Sequence, residues 1–510
     1  MRSTRSERSR KFFVMTGVVA LAMTGSILSV AQADVVLPAV QGPIAVGNSS
    51  HPFNSSRTQN VPLDLPGHGY VEEEYFVSGK ANVYEYGEHY SLHIKTAGAP
   101  YTTRILILRP SDPKRFSGNV IVEPFNPSFN YDLPIMWAYS HDYFMRHGDI
   151  YVGITVKAVS MRALKKFDPQ RYASLSMANP LPLAATCSNP GWSAFLSFPE
   201  SEDGLAWDML TQVGALLRSK AQQNPLKSLD VQYLYATGQS QTGAYIISYI
   251  QDFHPTARLA DGRHVYDGFV VNSAGRPIPM NQCAPRLTED DPHSIIRADV
   301  PIIQSFTQSD IAQYSMQRRP DSNRPGDLYT RYEIGGASHA TTYEFESAPS
   351  PQELTAAGLD ANAGAYRCVE PFPNDFPVEY MYSGTYANLD RWVRTGKPPP
   401  SAPPVATVAG NVGQTMFVMD DFGNVRGGVR SVYLDVPTST FVQNSSGPEC
   451  FSYFGHKIPF DERRLHGLYP SRAAYVSRFD AAVDRMLQEG WITEVDAAQI
   501  KMQAVHARIP

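Results

Sequence analysis

The sequence predicts an α/β protein with a mostly parallel central sheet flanked by helices. Two observations support this prediction. Strand-like and helix-like segments alternate along the first half of the chain, which is the order that parallel sheets produce. Short apolar, β-branched runs then end in small or polar residues, as strands covered on both faces do. Runs of this kind lie at 266–275, 300–310 and 328–339.

The predicted sheet opens with antiparallel strands. Residues 70–110 alternate strongly between apolar and polar side chains, which favours such strands. "GNVIVEPFNP" at 118–127 is typical of a buried strand, the stretch around 136–147 of a helix, and "DIYVGITVK" at 149–157 of the next strand. Strand, helix and strand in this order indicate a parallel unit.

A loop-rich segment occupies the middle of the chain at 158–203. It is rich in aliphatic and aromatic residues, so we interpret it as a cap over a pocket, with a surface loop packed on the sheet as the alternative. The amphipathic stretch 204–220 predicts a helix. The run Val231 to Ala236 then predicts a strand, and a second helix begins near Gly243.

The order of elements favours one domain over 34–510, with a less regular C-terminal extension over 350–510. "GKPPPSAPP" at 396–404 predicts an extended surface segment, because this many prolines fit neither a helix nor a central strand. Residues 471–491 predict a terminal helix that ends at Gly490.

Residues 1–33 have the pattern of a secretory signal peptide: a basic start, an apolar stretch and "AQA" at 31–33. A membrane anchor is the weaker alternative, because the apolar stretch is shorter than the roughly 20 residues that a span needs. "SRKFF" at 9–13 resembles a twin-arginine signal with Lys in place of the second Arg, which leaves the export route open. We therefore expect a secreted, periplasmic or cell-envelope protein without membrane insertion after cleavage.

The remaining chain has 39 basic and 48 acidic residues, a net charge of −9. This balance argues against nucleic acid as a partner. The four cysteines, Cys187, Cys283, Cys368 and Cys450, are far apart and lack metal-ligand spacing, so no metal site is expected. Two disulfides fit an oxidising compartment, with buried free thiols as the alternative and the pairing left open.

Ser240 is the candidate nucleophile. It lies between the predicted strand and helix, with Gly238 two residues before it. Small neighbours are needed where a serine sits on a tight, strained turn with its hydroxyl exposed. The usual motif has its second glycine two residues after the serine, whereas this chain has Thr242 there and Gly243 one later. The alternative reading of Ser240 is a helix-capping serine.

A serine nucleophile needs a base and an acid, which in this architecture follow the serine in the order acid, then histidine. His339 follows a strand-like run and a Gly-Gly turn, so it is the candidate base. Asp310 lies just past another apolar run and is the candidate acid, with a helix cap as the alternative reading. Glu333 is the reserve acid.

Stabilising the oxyanion of an acyl-transfer intermediate requires hydrogen-bond donors. We expect one from the backbone N–H of Gln241, the residue after the candidate nucleophile, and one from the backbone of Phe125 or Asn126, which follow an earlier strand. Simple turn chemistry explains the Asn-Pro loop equally well.

Several segments together resemble a family of exported or cell-envelope proteins, the alpha/beta hydrolase domain family. The resemblance runs over most of the chain and implies an alpha/beta hydrolase fold with a serine nucleophile at Ser240, and it supports His339. It names no substrate. The segments are "VEPFNP" (122–127), "GQSQTGAY" (238–245), "GGASH" (335–339), "RWVRTGKPPP" (391–400), "GGVRSVYLDVP" (427–437) and "LYPSRAAYVSRFDAAVDRMLQEGW" (468–491).

The leading functional hypothesis is a serine hydrolase that cleaves small-molecule carboxylic esters through an acyl-enzyme, without a cofactor. An acyltransferase that uses the same site is one alternative. A non-catalytic binding protein on a hydrolase scaffold is another, although all three candidate triad positions are filled. The oligomeric state is left open.

Overall fold

The computed structural model describes residues 35–47, 49–182, 187, 197–288, 291–314, 317–409, 415–451, 453–507 and 509. Asp34–Pro510 forms one compact unit. The predicted signal peptide at 1–33 lies outside the described residues. Among the described helices, none combines the length and the apolar character that crossing a membrane requires.

The described strands form one ten-stranded sheet and two small two-stranded sheets. Their bounds are β1 Ala39–Gln41, β2 Tyr70–Tyr86, β3 Leu92–Pro110, β4 Asn119–Pro124, β5 Ile150–Ile154, β6 Tyr233–Gln239, β7 Gly268–Asn272, β8 Ile302–Thr307, β9 Ser322–Arg324, β10 Asp327–Ile334, β11 Thr407–Ala409, β12 Thr415–Phe417, β13 Ser439–Val442 and β14 His456–Pro459.

Helices connect and cover these strands. Their bounds are α1 Ile135–His147, α2 Ala158–Phe167, α3 Ala206–Arg218, α4 Gln241–Ser248, α5 Gln308–Tyr314, α6 Pro351–Ala356, α7 Glu379–Thr395, α8 Val432–Asp435, α9 Glu462–Leu468, α10 Arg472–Glu489 and α11 Glu494–His506. A π-helical turn, Tyr249–Phe253, extends α4.

The large sheet is parallel in its centre and antiparallel at its edges. Its strand order is β1-β2-β3-β5-β4-β6-β7-β8-β10-β9. All neighbours from β5 to β10 are parallel, and the pairs outside them are antiparallel. The predicted fold class and the antiparallel opening over 70–110 are therefore confirmed.

Burial explains why the central strands have apolar sequences. Every residue of β4, β5, β7 and β8 is buried. Helices α1 and α7 pack on each other and on the central strands, while α3 contacts β2, and α4 contacts β4, β6 and β7. A strand covered on both faces gains most from apolar side chains. Such side chains dominate β5 and β7, while β4 and β8 also bury polar residues such as Glu123 and Gln304.

The central parallel strands end at one edge of the sheet, which is where such folds bind ligands. The segments that follow the carboxyl ends of β4, β6, β8 and β10 hold all the predicted triad and oxyanion residues. The sheet therefore gathers at one edge side chains that are more than 200 residues apart in the sequence.

Two organisational predictions need correction. The segment 158–203, predicted to be loop-rich, begins with the ten-residue helix α2; its residues 183–186 and 188–196 lie outside the described residues. The extension over 350–510 is more helical than predicted, with α7, α10 and α11 at 17, 18 and 13 residues. Polar groups on the buried face of α7 obscure its apolar periodicity. They belong to Tyr382, Ser383, Thr385, Tyr386 and Asn388.

Two details of the C-terminal part are confirmed. Helix α10 ends at Gly490, which takes up the left-handed conformation (φ 82°) that glycine tolerates best. Residues 396–404 form neither helix nor strand and are mostly exposed.

Candidate active site

Ser240 lies on a sharp turn between β6 and α4. Its backbone has φ 57° and ψ −119°, which is strained for a residue with a side chain. A Cβ on Gly238 would lie 2.5 Å from the Thr242 carbonyl oxygen, and one on Gly243 would lie 2.7 Å from the Asn272 carbonyl oxygen. Both positions are therefore restricted to glycine, and the turn presents the serine at the end of the strand.

Thr242 explains why the chain departs from the usual motif. Its hydroxyl donates to the Gln239 carbonyl oxygen at 3.1 Å and accepts from the Gln239 N–H at 3.3 Å. The threonine thus ties the first turn of α4 back to the end of β6. The close approach that demands glycine falls one residue later, at Gly243.

The structure brings the three predicted triad residues into one hydrogen-bonded chain. Ser240 Oγ lies 3.0 Å from His339 Nε2, and Asp310 Oδ1 lies 2.6 Å from His339 Nδ1. The His339 loop is held by its own backbone: its N–H donates to Ser309 Oγ at 3.0 Å, and its carbonyl accepts from Gln239 Nε2 at 3.0 Å. The Tyr453 ring lies 4.6 Å from the imidazole.

Asp310 combines the two readings that the sequence left open. Its Oδ1 faces His339, while its Oδ2 accepts from the N–H and the hydroxyl of Thr307, at 2.8 and 2.7 Å. Thr307 immediately precedes α5, so the same carboxylate pairs a free donor at the start of that helix. These bonds to α5 fix the direction in which the carboxylate faces the imidazole.

The electrostatics of the pair match a carboxylate beside an imidazolium. Burial alone would raise the pKa of the Asp310 carboxyl, but the charge and hydrogen bond of His339, with bonds from two hydroxyls, hold it below its ordinary value. Burial alone would lower the pKa of His339. The charge and hydrogen bond of Asp310, with the charge of Glu344, raise it above its ordinary value. A proton on this imidazole is therefore stabilised.

Glu344 is a site residue that the sequence reasoning missed. It is 2% exposed, lines the cleft beside His339, and accepts a 2.6 Å hydrogen bond from the Tyr139 hydroxyl at Oε2. Burial raises the pKa of this carboxyl to about 7, although the bond from Tyr139 and the charge of His339 oppose the shift. The only signal in the sequence is its place five residues after His339.

Glu333, the reserve acid, is not near the imidazole. Its carboxylate accepts from Arg318 at 2.8 and 2.7 Å and from Arg331 at 2.8 Å, and it also binds the N–H of Val405. These bonds hold the side chain within the ion pairs around β10. The reserve assignment is therefore wrong.

The predicted backbone donors on the β4 loop also need correction. The N–H of Phe125 donates to the Ile154 carbonyl at 2.8 Å, and that of Asn126 donates to the Leu133 carbonyl at 2.9 Å. Both donors are already engaged, so neither is free for an oxyanion. Gln241 is the first residue of α4, and its N–H has no partner among the described residues. It therefore stays available to an oxyanion, as predicted.

A cleft of about 270 Å³ opens at Ser240. Its wall combines aromatic side chains, among them Phe129, Phe451 and Tyr453, with the arginines Arg276 and Arg286. Within the described residues, none from 158–203 lines this cleft, so the expected cap position is not supported there. Phe451 and Tyr453 come instead from the segment between β13 and β14, beside a disulfide of Cys450.

All four cysteines form disulfides, Cys187–Cys283 and Cys368–Cys450, which confirms the prediction of two bridges and supplies the pairing. The described residues hold one cluster of metal-capable side chains: His254 and His264, whose Nε2 atoms each lie 2.9 Å from an oxygen of Asp299. This cluster lies before the amino ends of β7 and β8, at the opposite edge of the sheet from Ser240.

Solved structures of several hydrolases resemble this chain weakly. Esterase Est22 with p-nitrophenol has a TM-score of 0.30 and 11% identity, over 60% of this chain and 84% of its own. A dienelactone hydrolase described as putative, from Klebsiella pneumoniae, has 0.27 and 11%, over 56% and 95%. LpqC, a poly(3-hydroxybutyrate) depolymerase from Bordetella parapertussis, has 0.28 and 12%, over 59% and 88%. Scores this low support no argument about this chain.

The sequence profile described as "Alpha/beta hydrolase domain" matches residues 40–502, and no curated protein matches the chain. The match includes the whole parallel sheet and the strained serine turn at the end of β6. On this match, which spans most of its length, the chain belongs to the alpha/beta hydrolase domain family.

Proposed function

We propose that this protein is an exported serine hydrolase that cleaves carboxylic esters through an acyl-enzyme on Ser240. One observation carries the proposal: the unbroken hydrogen-bonded chain from Ser240 Oγ through His339 to Asp310. A nucleophile, a base and an acid that orients the base are the parts that acyl transfer by a serine needs. The intact chain favours catalysis over the non-catalytic binding alternative.

The first half of the reaction acylates the serine. Ser240 Oγ attacks the ester carbonyl carbon and passes its proton to His339 Nε2. The carbonyl oxygen becomes an oxyanion, which the free N–H of Gln241 stabilises at the positive end of α4. His339 then gives the proton to the departing alcohol oxygen as the carbon–oxygen bond breaks, and the acyl group remains on Ser240.

Water completes the cycle by the same route. His339 Nε2 takes a proton from a water molecule, the resulting hydroxide attacks the acyl carbon, and Ser240 recovers its proton as the acid is released. Asp310 stays ionised throughout and keeps the Nδ1–H of His339 directed toward it, so that Nε2 faces the serine. The raised pKa of His339 suits a base that must hold the proton between the two transfers.

Two further observations support the finer parts of the proposal. A cleft of about 270 Å³ with aromatic walls suits a small ester whose acyl or alcohol part is apolar. Two disulfides suit a protein that folds in an oxidising compartment, as the predicted signal peptide requires.

Kinetics of Ser240→Ala on p-nitrophenyl esters of graded chain length test the proposal. We expect kcat to fall by about 10⁶, with little change in thermal unfolding, because the serine supplies chemistry rather than packing. Ser140→Ala is the matched control: Ser140 is a buried serine of α1 whose hydroxyl has no partner among the residues that the structure describes. It should keep wild-type turnover. An active Ser240→Ala would refute the proposal.

A further inference from the structure

The loop after β4 has few free donors for an oxyanion. Between residues 125 and 130, Pro127 has no N–H, and of the five N–H groups only that of Phe129 has no partner among the described residues. The bonded pairs are Phe125 with the Ile154 carbonyl, Asn126 with the Leu133 carbonyl, Ser128 with Asn126 Oδ1 and Asn130 with the Pro127 carbonyl. Of the loop residues that line the cleft, Asn126, Ser128 and Phe129, only Phe129 has a backbone N–H without a partner among the described residues.

Ser128 supplies a side-chain donor to this cleft. It lines the same cleft as Ser240. Its N–H donates to Asn126 Oδ1 at 2.9 Å, and Asn126 Nδ2 donates to the Gln239 carbonyl at 2.9 Å. Asn126 therefore bridges the loop to the residue before the nucleophile. Ser128 is held in a fixed position relative to Ser240, as a preorganised donor must be.

The side chain of Gln241 controls where the Ser128 proton points. Gln241 is 6% exposed, and its Oε1 lies 3.2 Å from Ser128 Oγ. In this orientation Ser128 donates to Gln241, and the enclosed Nε2 of Gln241 has no hydrogen-bond partner within the part of the chain that the structure describes. An amide nitrogen has two N–H bonds, and an enclosed unpaired donor is among the costlier defects of a protein interior.

The opposite amide orientation removes part of that defect. Rotating the amide by half a turn exchanges its oxygen and nitrogen, so that Nε2 donates to Ser128 Oγ. A hydroxyl has a single proton and accepts through its lone pairs. With Gln241 as the donor, the Ser128 hydroxyl no longer donates to the amide, and it can donate its proton to a ligand in the cleft. An enclosed oxygen without a partner is tolerated better than an enclosed N–H.

We propose that the hydroxyl of Ser128, oriented by the Gln241 amide, is the second donor to the oxyanion, beside the Gln241 N–H. The inference rests on the proposed function, since it assigns a role within that reaction. Ser128 is then a catalytic residue, because its proton touches the reacting oxygen. The Gln241 side chain and Asn126 are positioning residues. This assignment replaces the backbone N–H groups of Phe125 and Asn126, which are engaged elsewhere.

Ser128→Ala tests the proposal with the full-length protein. We expect kcat on p-nitrophenyl butyrate to fall by about 10² to 10³, with KM changed by no more than about threefold, because the bond forms only when the carbonyl oxygen becomes charged. The inhibition constant of a trifluoromethyl ketone, whose adduct on Ser240 carries the same oxyanion, should rise in proportion to the loss of kcat. A merely structural serine would not couple these two quantities.

Ser128→Thr keeps the hydroxyl and should restore most of the lost turnover, and Ser140→Ala should behave as wild type. Turnover of Ser128→Ala within about threefold of wild type would overturn the proposal and assign the second donor to the Phe129 N–H. That result would leave ester hydrolysis by Ser240 intact, so the two failures are distinguishable. A wild-type protein that hydrolyses no ester would overturn both.

Discussion

Asp310→Asn is expected to reverse the tautomer of His339 without disturbing its position. Asp310 Oδ2 accepts two hydrogen bonds from Thr307, one from its N–H and one from its hydroxyl. An asparagine must place its oxygen there, because its NH₂ group cannot accept. The NH₂ group then faces His339 Nδ1, where the carboxylate oxygen now lies at 2.6 Å. Nδ1 becomes the acceptor, the ring proton moves to Nε2, and the base can no longer take the proton of Ser240.

The expected loss is large for activity and small for stability. A wrong tautomer in a comparable triad lowers turnover by about 10⁴, and we expect a loss of that order here. The hydrogen bonds to Thr307 survive the substitution, and the bond to His339 changes direction without breaking. The free energy of unfolding should therefore fall by only about 1 to 2 kcal/mol, through the loss of a charge-assisted bond.

Steady-state turnover of a p-nitrophenyl ester and thermal unfolding measure the two quantities. Asp461→Asn is the matched control: Asp461 caps α9 by accepting from the Arg464 N–H at 2.8 Å, and Asn caps about as well as Asp. It should leave turnover unchanged. If Asp310 served only the helix, Asp310→Asn would behave like the control, so turnover within about tenfold of wild type would refute the tautomer argument.

Glu344→Gln should move the acid limb of the kcat/KM profile to lower pH. Activity needs neutral His339, so it is lost as the pH falls through the pKa of His339. The charge of Glu344 helps to raise that pKa, and the substitution removes this charge. Gly243→Ala should lower the unfolding free energy by about 1 to 3 kcal/mol, because its Cβ would lie 2.7 Å from a backbone oxygen. Gly467→Ala should not lower it, because a Cβ there meets no described atom within 4 Å. Non-reducing peptide mapping should find two linked pairs, Cys187–Cys283 and Cys368–Cys450.

Each of these expectations has a contrary outcome. An acid limb that stays in place or moves to higher pH in Glu344→Gln would show that this carboxyl does not act on His339. Equal melting temperatures for Gly243→Ala and Gly467→Ala would contradict the steric account of the serine turn. Quantitative alkylation of the cysteines in the unreduced protein, or any other pairing, would reject the disulfide assignment.

The central sheet could be predicted from the sequence because strands that are buried on both faces are rich in apolar residues. Strands such as β5 and β7 are mostly apolar, and each is entirely buried. The C-terminal helices were harder to foresee. Helix α7 buries Tyr382 and Tyr386. Because each tyrosine carries a hydroxyl, these positions do not stand out as apolar in the sequence pattern. The capping box that starts α11 gave a local signal that the sequence reasoning did not use.

The order of three residues along the chain was enough to predict which side chains meet at the site. Ser240, Asp310 and His339 follow β6, β8 and β10, and parallel strands deliver such residues to one edge. Their roles as nucleophile, acid and base stay predictions until activity is measured. Hydrogen-bond partners are set by the fold as a whole, so the engagement of the Phe125 and Asn126 N–H groups could not be read from the sequence.

Glu344 and the cleft walls show the same limit. A glutamate five residues after His339 looks like any exposed acid until the fold buries it against Tyr139. The aromatic wall at Phe451 and Tyr453 comes from a segment more than 200 residues beyond Ser240. No local pattern in either segment indicates which surface it will cover.

Mass spectrometry of the protein treated with a fluorophosphonate tests the central claim most directly. Such a reagent forms a covalent bond with a serine whose hydroxyl is activated by a neighbouring base. The account predicts one adduct, on the peptide that contains Ser240, with simultaneous loss of ester hydrolysis and no labelling of Ser240→Ala. An adduct on a different serine, or ester hydrolysis that persists in the fully labelled protein, would contradict it.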